Sequence, residues 1–119
     1  MLRKLLISGL VVSLPFSPLR AAEVEILDVV ATQSNGTWHF AVTLKHADSG
    51  WDHYADGWEV LTLAGTSLGY RTLAHPHVDE QPFTRALSNV KIPSDVTQVM
   101  IRARDTDGWS EITFRVELP

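Results

Sequence analysis

Thr37-Trp38-His39-Phe40-Ala41-Val42-Thr43-Leu44-Lys45-His46 alternates with a period of two. Trp38, Phe40, Val42 and Leu44 project to one side of an extended chain, and His39, Ala41, Thr43 and Lys45 to the other. An apolar face opposite a polar one is the pattern of a strand half-buried against a core. Immediately before it, Ser34-Asn35-Gly36 is turn chemistry, and before that Val24 onwards is again rich in β-branched residues. Working outward, the same period recurs, and strands are expected at about 24–32, 37–46, 58–64, 68–74, 83–92, 96–104 and 111–118. In the last of these Ile112, Phe114, Val116 and Leu118 share a face. No stretch sustains the 3.6-residue period of a helix.

Seven short alternating strands in about 100 residues predict an all-β, two-sheet Greek-key sandwich. In this architectural sense residues 23–119 resemble immunoglobulin-like and fibronectin type III-like domains. The cysteines of antibody domains are missing, and a shared architecture does not carry a function. The stretch from His75 to Arg85 is similar to a loop of small exported bacterial proteins, a resemblance that supplies no activity.

Residues 1–22 read differently. Arg3 and Lys4 precede the apolar run from Leu5 to Leu14, then Pro15, Pro18 and the small pair Ala21 and Ala22. This is the order of a secretory signal, and the apolar run is well short of the roughly 20 residues that span a bilayer. The expected location is periplasmic or secreted, with no membrane anchor in the mature protein. With no cysteine in the chain, disulfides and thiolate ligands are excluded. The net charge of −4 leaves no basic surface for a phosphate backbone, so no nucleic-acid partner is expected.

In an antiparallel sandwich alternate connections lie at alternate ends. The first, third and fifth are bland turns. The second carries His46, Asp48, Trp51, Asp52, His53, Tyr54 and Asp56; the fourth His75, Pro76, His77, Asp79, Glu80 and Gln81; the sixth Asp105, Asp107, Gly108 and Trp109. Histidines, carboxylates and aromatics therefore collect at one end, where loops on a rigid scaffold commonly hold a binding site.

Two readings of that end follow. In the first, His75 and His77, two residues apart around Pro76, chelate a divalent ion with His53 and His46, and Asp79 or Glu80 completes or orients the site; Asp52 and Asp105 are further oxygen donors. Imidazole and carboxylate without thiolate suit copper(II) or zinc. In the second, Trp51, Tyr54 and Trp109 present a contact surface to a periplasmic protein or a carbohydrate, and the histidines are structural. Asp105-Thr106-Asp107-Gly108 lacks the later ligands of a calcium loop. Ser49, Ser67, Ser88 and Ser110 lie in no nucleophile motif, so a non-catalytic binding protein is expected.

Overall fold

The computed structural model describes residues 23–119; the expected signal segment, 1–22, lies outside the described residues. These residues are all-β, with eight strands and no helix: β1 (Glu25–Ser34), β2 (Thr37–Lys45), β3 (Ala55–Thr62), β4 (Ser67–Thr72), β5 (Phe83–Val90), β6 (Gln98–Asp105), β7 (Gly108–Trp109) and β8 (Phe114–Glu117). One sheet has the order β1-β2-β5. The other has the order β4-β3-β6, with β7 and β8 both paired to the far side of β6. All pairings are antiparallel.

The alternation in β2 is the one expected from the sequence. Trp38, Phe40, Val42 and Leu44 are buried, facing Trp58 and Val60 of β3 and Val99, Ile101 and Ala103 of β6 in one core cluster. Each such large side chain contributes about 1.5–3 kcal/mol by leaving water. The β1–β2 hairpin closes on Asn35 and Gly36, both at positive φ (54° and 83°). That geometry matches the right-handed twist of the strands, and Asn-Gly is the pair that adopts it most readily.

The last expected strand is broken. Between β7 and β8, residues 111–113 leave the sheet: the Ser110 N–H still donates to the Ala103 carbonyl of β6 (2.9 Å), while its Oγ accepts the Val24 N–H and the Glu111 N–H donates to Glu23 Oε1. Phe114 and Val116 pack on the core, but Ile112 is 72% exposed, so the uninterrupted apolar face expected for 111–118 is corrected. Side-chain bonds to the start of the chain override the local alternation there.

On the outer face of the larger sheet Arg102 pairs with Glu59 (Nη2–Oε1 2.9 Å) and Arg104 with Asp56 (2.9 Å). The Arg102 guanidinium lies 3.9 Å over the Trp109 ring, and Tyr70 meets Trp109 edge-on at 6.0 Å. Trp109 is thus held on the sheet by a cation–π contact and an aromatic edge.

Candidate functional site

The loops after β2, β4 and β6 meet, and a buried carboxylate joins the first two. His46 follows β2 and continues its inward-facing series. Two residues later the Asp48 carboxylate accepts three N–H groups: His46 Nδ1 (2.6 Å) and the Ala55 backbone (3.0 Å) on Oδ1, and the His77 backbone (2.7 Å) on Oδ2. A buried carboxylate is tolerated because its oxygens are hydrogen-bonded in this way. Gln81 adds a second tie, accepting the His46 N–H (3.0 Å) and donating to the His77 carbonyl (2.9 Å).

The other nitrogen of His46 faces β6. His46 Nε2 is 3.1 Å from Asp105 Oδ2, and His53 Nε2 is 3.6 Å from the same oxygen. His53 is set by a tight turn in which its N–H donates to the Gly50 carbonyl and its carbonyl accepts the Ser49 N–H. Thr106, after β6, lashes this turn down through its N–H to the Tyr54 carbonyl and its hydroxyl to the Asp52 carbonyl. The Nδ1 of His53 lies 3.4 Å from Asp107 Oδ2.

Among the described residues His46, His53 and Asp105 form the group whose ligand atoms all lie within 4.8 Å of one another. Four-coordinate ions with bonds of about 2.0–2.1 Å hold their donors roughly 3.4 Å apart, the spacing of these atoms from Asp105 Oδ2. His46 also turns Nδ1 to a buried carboxylate, Asp48, the arrangement that fixes tautomer and orientation in histidine metal sites, while His53 Nδ1 faces the exposed Asp107 at the longer distance of 3.4 Å. When His46 is neutral and donates Nδ1–H to Asp48, Nε2 offers a lone pair to the site. When it is protonated, both nitrogens donate, and it bridges two aspartates.

The remaining expected ligands lie elsewhere. His77 is buried, with its ring stacked on Phe83 (centroids 4.0 Å apart, 11° between planes). Its Nε2 is 3.0 Å from Arg85 Nη2. A guanidinium only donates, so Nε2 accepts and the proton sits on Nδ1. That nitrogen is buried without a hydrogen-bond partner, 4.0 Å from Asp48 Oδ2. Burial, followed by the charge of Arg85 and then by His75, lowers the His77 pKa below that of a free imidazole, against the opposing pull of Glu80 and Asp48. His75 is exposed, its ring 4.6 Å from that of His77 and its Nδ1 on the Pro76 carbonyl. Asp79 and Glu80 are exposed, and Glu80 pairs with Arg85 (3.2 Å). The structure therefore brings His46 and His53 together with Asp105, while His77 and Glu80 engage Arg85, His75 lies against the His77 ring and Asp79 is exposed.

The aromatic residues also separate. Trp51, at the tip of the His53 turn, is 68% exposed and meets Tyr54 edge-on at 5.6 Å. Trp109 belongs to the Arg102 and Tyr70 cluster on the sheet. Sequence reasoning missed the roles of Asp48 and Gln81. The one available signal was Asp48 standing two residues beyond an inward-facing histidine.

No family model matches the chain, and no solved structure matches it. Among the described residues no helix is long and apolar enough to cross a membrane. The chain is similar to a protein of Halomicrobium mukohataei named "Putative lipoprotein", 42% identical over 95 residues. The match covers 78% of this chain and 46% of that protein, so the chain spans a little under half the length of its relative.

Proposed function

We propose that this chain is an exported, non-catalytic binding domain that holds one divalent transition-metal ion, zinc or copper(II), on His46 Nε2, His53 Nε2 and Asp105 Oδ2. The observation that carries the reading is the convergence of two imidazole nitrogens on one carboxylate oxygen, at 3.1 and 3.6 Å, with the His46 ring held from behind by Asp48. An immunoglobulin-like, fibronectin type III-like sandwich is supported by the order β1-β2-β5 in one sheet and β4-β3-β6-β8 in the other. Export is supported by the signal pattern of residues 1–22 and by the name of the relative.

The test is calorimetric titration of the protein with zinc and copper(II), alongside a His46→Ala/His53→Ala variant and a His75→Ala/His77→Ala variant. One-to-one binding that the first variant loses and the second keeps is expected. Binding lost only in the second would move the site to the β4–β5 loop.

A second reading rests on Trp51. An indole this exposed at a loop tip suits a protein or carbohydrate contact, with Tyr54 beside it and His46 serving as a bridge between Asp48 and Asp105. On that reading neither metal binds, and Trp51→Ala abolishes partner binding without altering the fold.

A further inference from the structure

We infer that the ion at His46, His53 and Asp105 is completed by a neutral imidazole donor from outside the chain, an inference that rests on the metal reading above. The first ground is the donor inventory. Three protein atoms converge, and the buried polar atoms beside them have no free lone pair to add: the one unpartnered nitrogen, His77 Nδ1, carries the ring's proton. Asp48 accepts on both oxygens. Asp105 Oδ1 accepts the Asp107 N–H (2.8 Å), and both ends of the Gln81 amide are bonded. The Nε2 of His77 is taken by Arg85. A four-coordinate ion held by three protein ligands keeps one position for an exogenous group.

The second ground is access. The His46 side chain is 1% exposed and that of Asp105 10%, whereas His53 is 21% exposed. The site therefore opens on the His53 side, where the solvent-exposed Trp51 also stands. The third ground is charge. A divalent ion with Asp105 as ligand and Asp48 and Asp107 behind the two imidazoles is surrounded by three carboxylates, which more than neutralise it. That field repels an incoming anion and leaves a neutral nitrogen donor unopposed. The donor is either free imidazole-type ligand or a histidine side chain on another polypeptide; the coordination chemistry is the same.

The experiment loads the protein with cobalt(II), whose visible bands report coordination. The loaded protein is titrated with imidazole, with acetyl-glycyl-histidyl-glycine amide and with azide, and gel filtration checks that cobalt stays with the protein. Cobalt that does not bind in a His46- and His53-dependent way overturns the metal reading and this inference with it. Where cobalt binds, a saturable one-to-one shift with imidazole is expected, at a midpoint about tenfold or more below that for azide. Equal midpoints for imidazole and the peptide identify a free ligand, and a lower midpoint for the peptide identifies a polypeptide-borne histidine. Retained cobalt with no shift, or with azide binding as well as imidazole, overturns the inference while leaving the metal site standing.

Discussion

Asparagine at position 48 keeps the volume of the aspartate and removes its charge and half its acceptor capacity. At least one of the three N–H groups from His46, Ala55 and His77 then loses its partner inside the protein. A buried unpaired donor costs about 1–3 kcal/mol, and more where a charge-assisted bond is lost, so Asp48→Asn should destabilise by roughly 2–4 kcal/mol in urea unfolding. Because Asp48 orients His46 without belonging to the proposed ligand set, the same change should weaken the proposed metal binding by about 10–100-fold in calorimetry. A variant that loses stability and keeps full affinity would restrict Asp48 to a structural role. His77 gives a prediction of a different sign. Its folded pKa lies below the unfolded value of about 6.5, so the folded state binds its proton less readily than the unfolded chain. The stability from neutral His77 is complete above about pH 6.5 and is lost as pH falls towards the folded pKa. His77→Gln retains an acceptor for Arg85 and cannot titrate, so its stability should fall less than that of the parent over this acid range. Parallel curves would show that other groups carry the acid sensitivity.

At the scale of strands, the sequence was most legible where a residue has one face to choose. β2 reads directly because each inward residue meets the opposite sheet and each outward residue meets solvent. The hairpin at Asn35-Gly36 was equally legible, since its backbone conformation is nearly dictated by those two residues. Residues 111–113 were not, because Glu111 is diverted by a partner at Glu23, far away in the chain. The site divides along the same line. Parity of connections indicated that the three loops share one end. It could not say that Asp48 would engage His46 and His77 together, or that Phe83 and Arg85 would occupy the His77 ring. Gly57 shows a constraint that periodicity cannot express. A Cβ there would stand 2.1 Å from the Tyr70 hydroxyl, so Gly57→Ala must displace the Tyr70 ring from its edge contact with Trp109. Tyr70 is partly exposed and free to swing outward, so a loss of about 1 kcal/mol is expected, with a change in the aromatic circular dichroism. A loss well above that would mean that the ring is pinned by its neighbours.

For the whole molecule, the position of the proposed metal group relative to the two sheets matters more than its residues taken singly. His46 leaves β2, in the three-stranded sheet, and Asp105 ends β6, in the larger one. An ion shared between them, as proposed, would link the sheets at one end of a fold that has no disulfide to do so. The unfolded chain does not hold these donors together, so an ion bound by the folded state alone stabilises it by mass action, about 2.7 kcal/mol when free ion is 100 times its Kd. For a domain of roughly 100 residues that corresponds to a rise in Tm on the order of 10 °C. The rise should reverse on adding a chelator, and it should be absent in His46→Ala/His53→Ala. It should also grow with the logarithm of ion concentration, which separates specific linkage from a general salt effect. Arg102→Ala removes the nearer of the two guanidiniums over Trp109 and the partner of Glu59 on the sheet's outer face, so the loaded and metal-free forms should lose stability together and keep the same separation. If the separation instead collapsed, the outer face and the loop end would be energetically coupled, and the ion would be sensing the packing of the whole larger sheet.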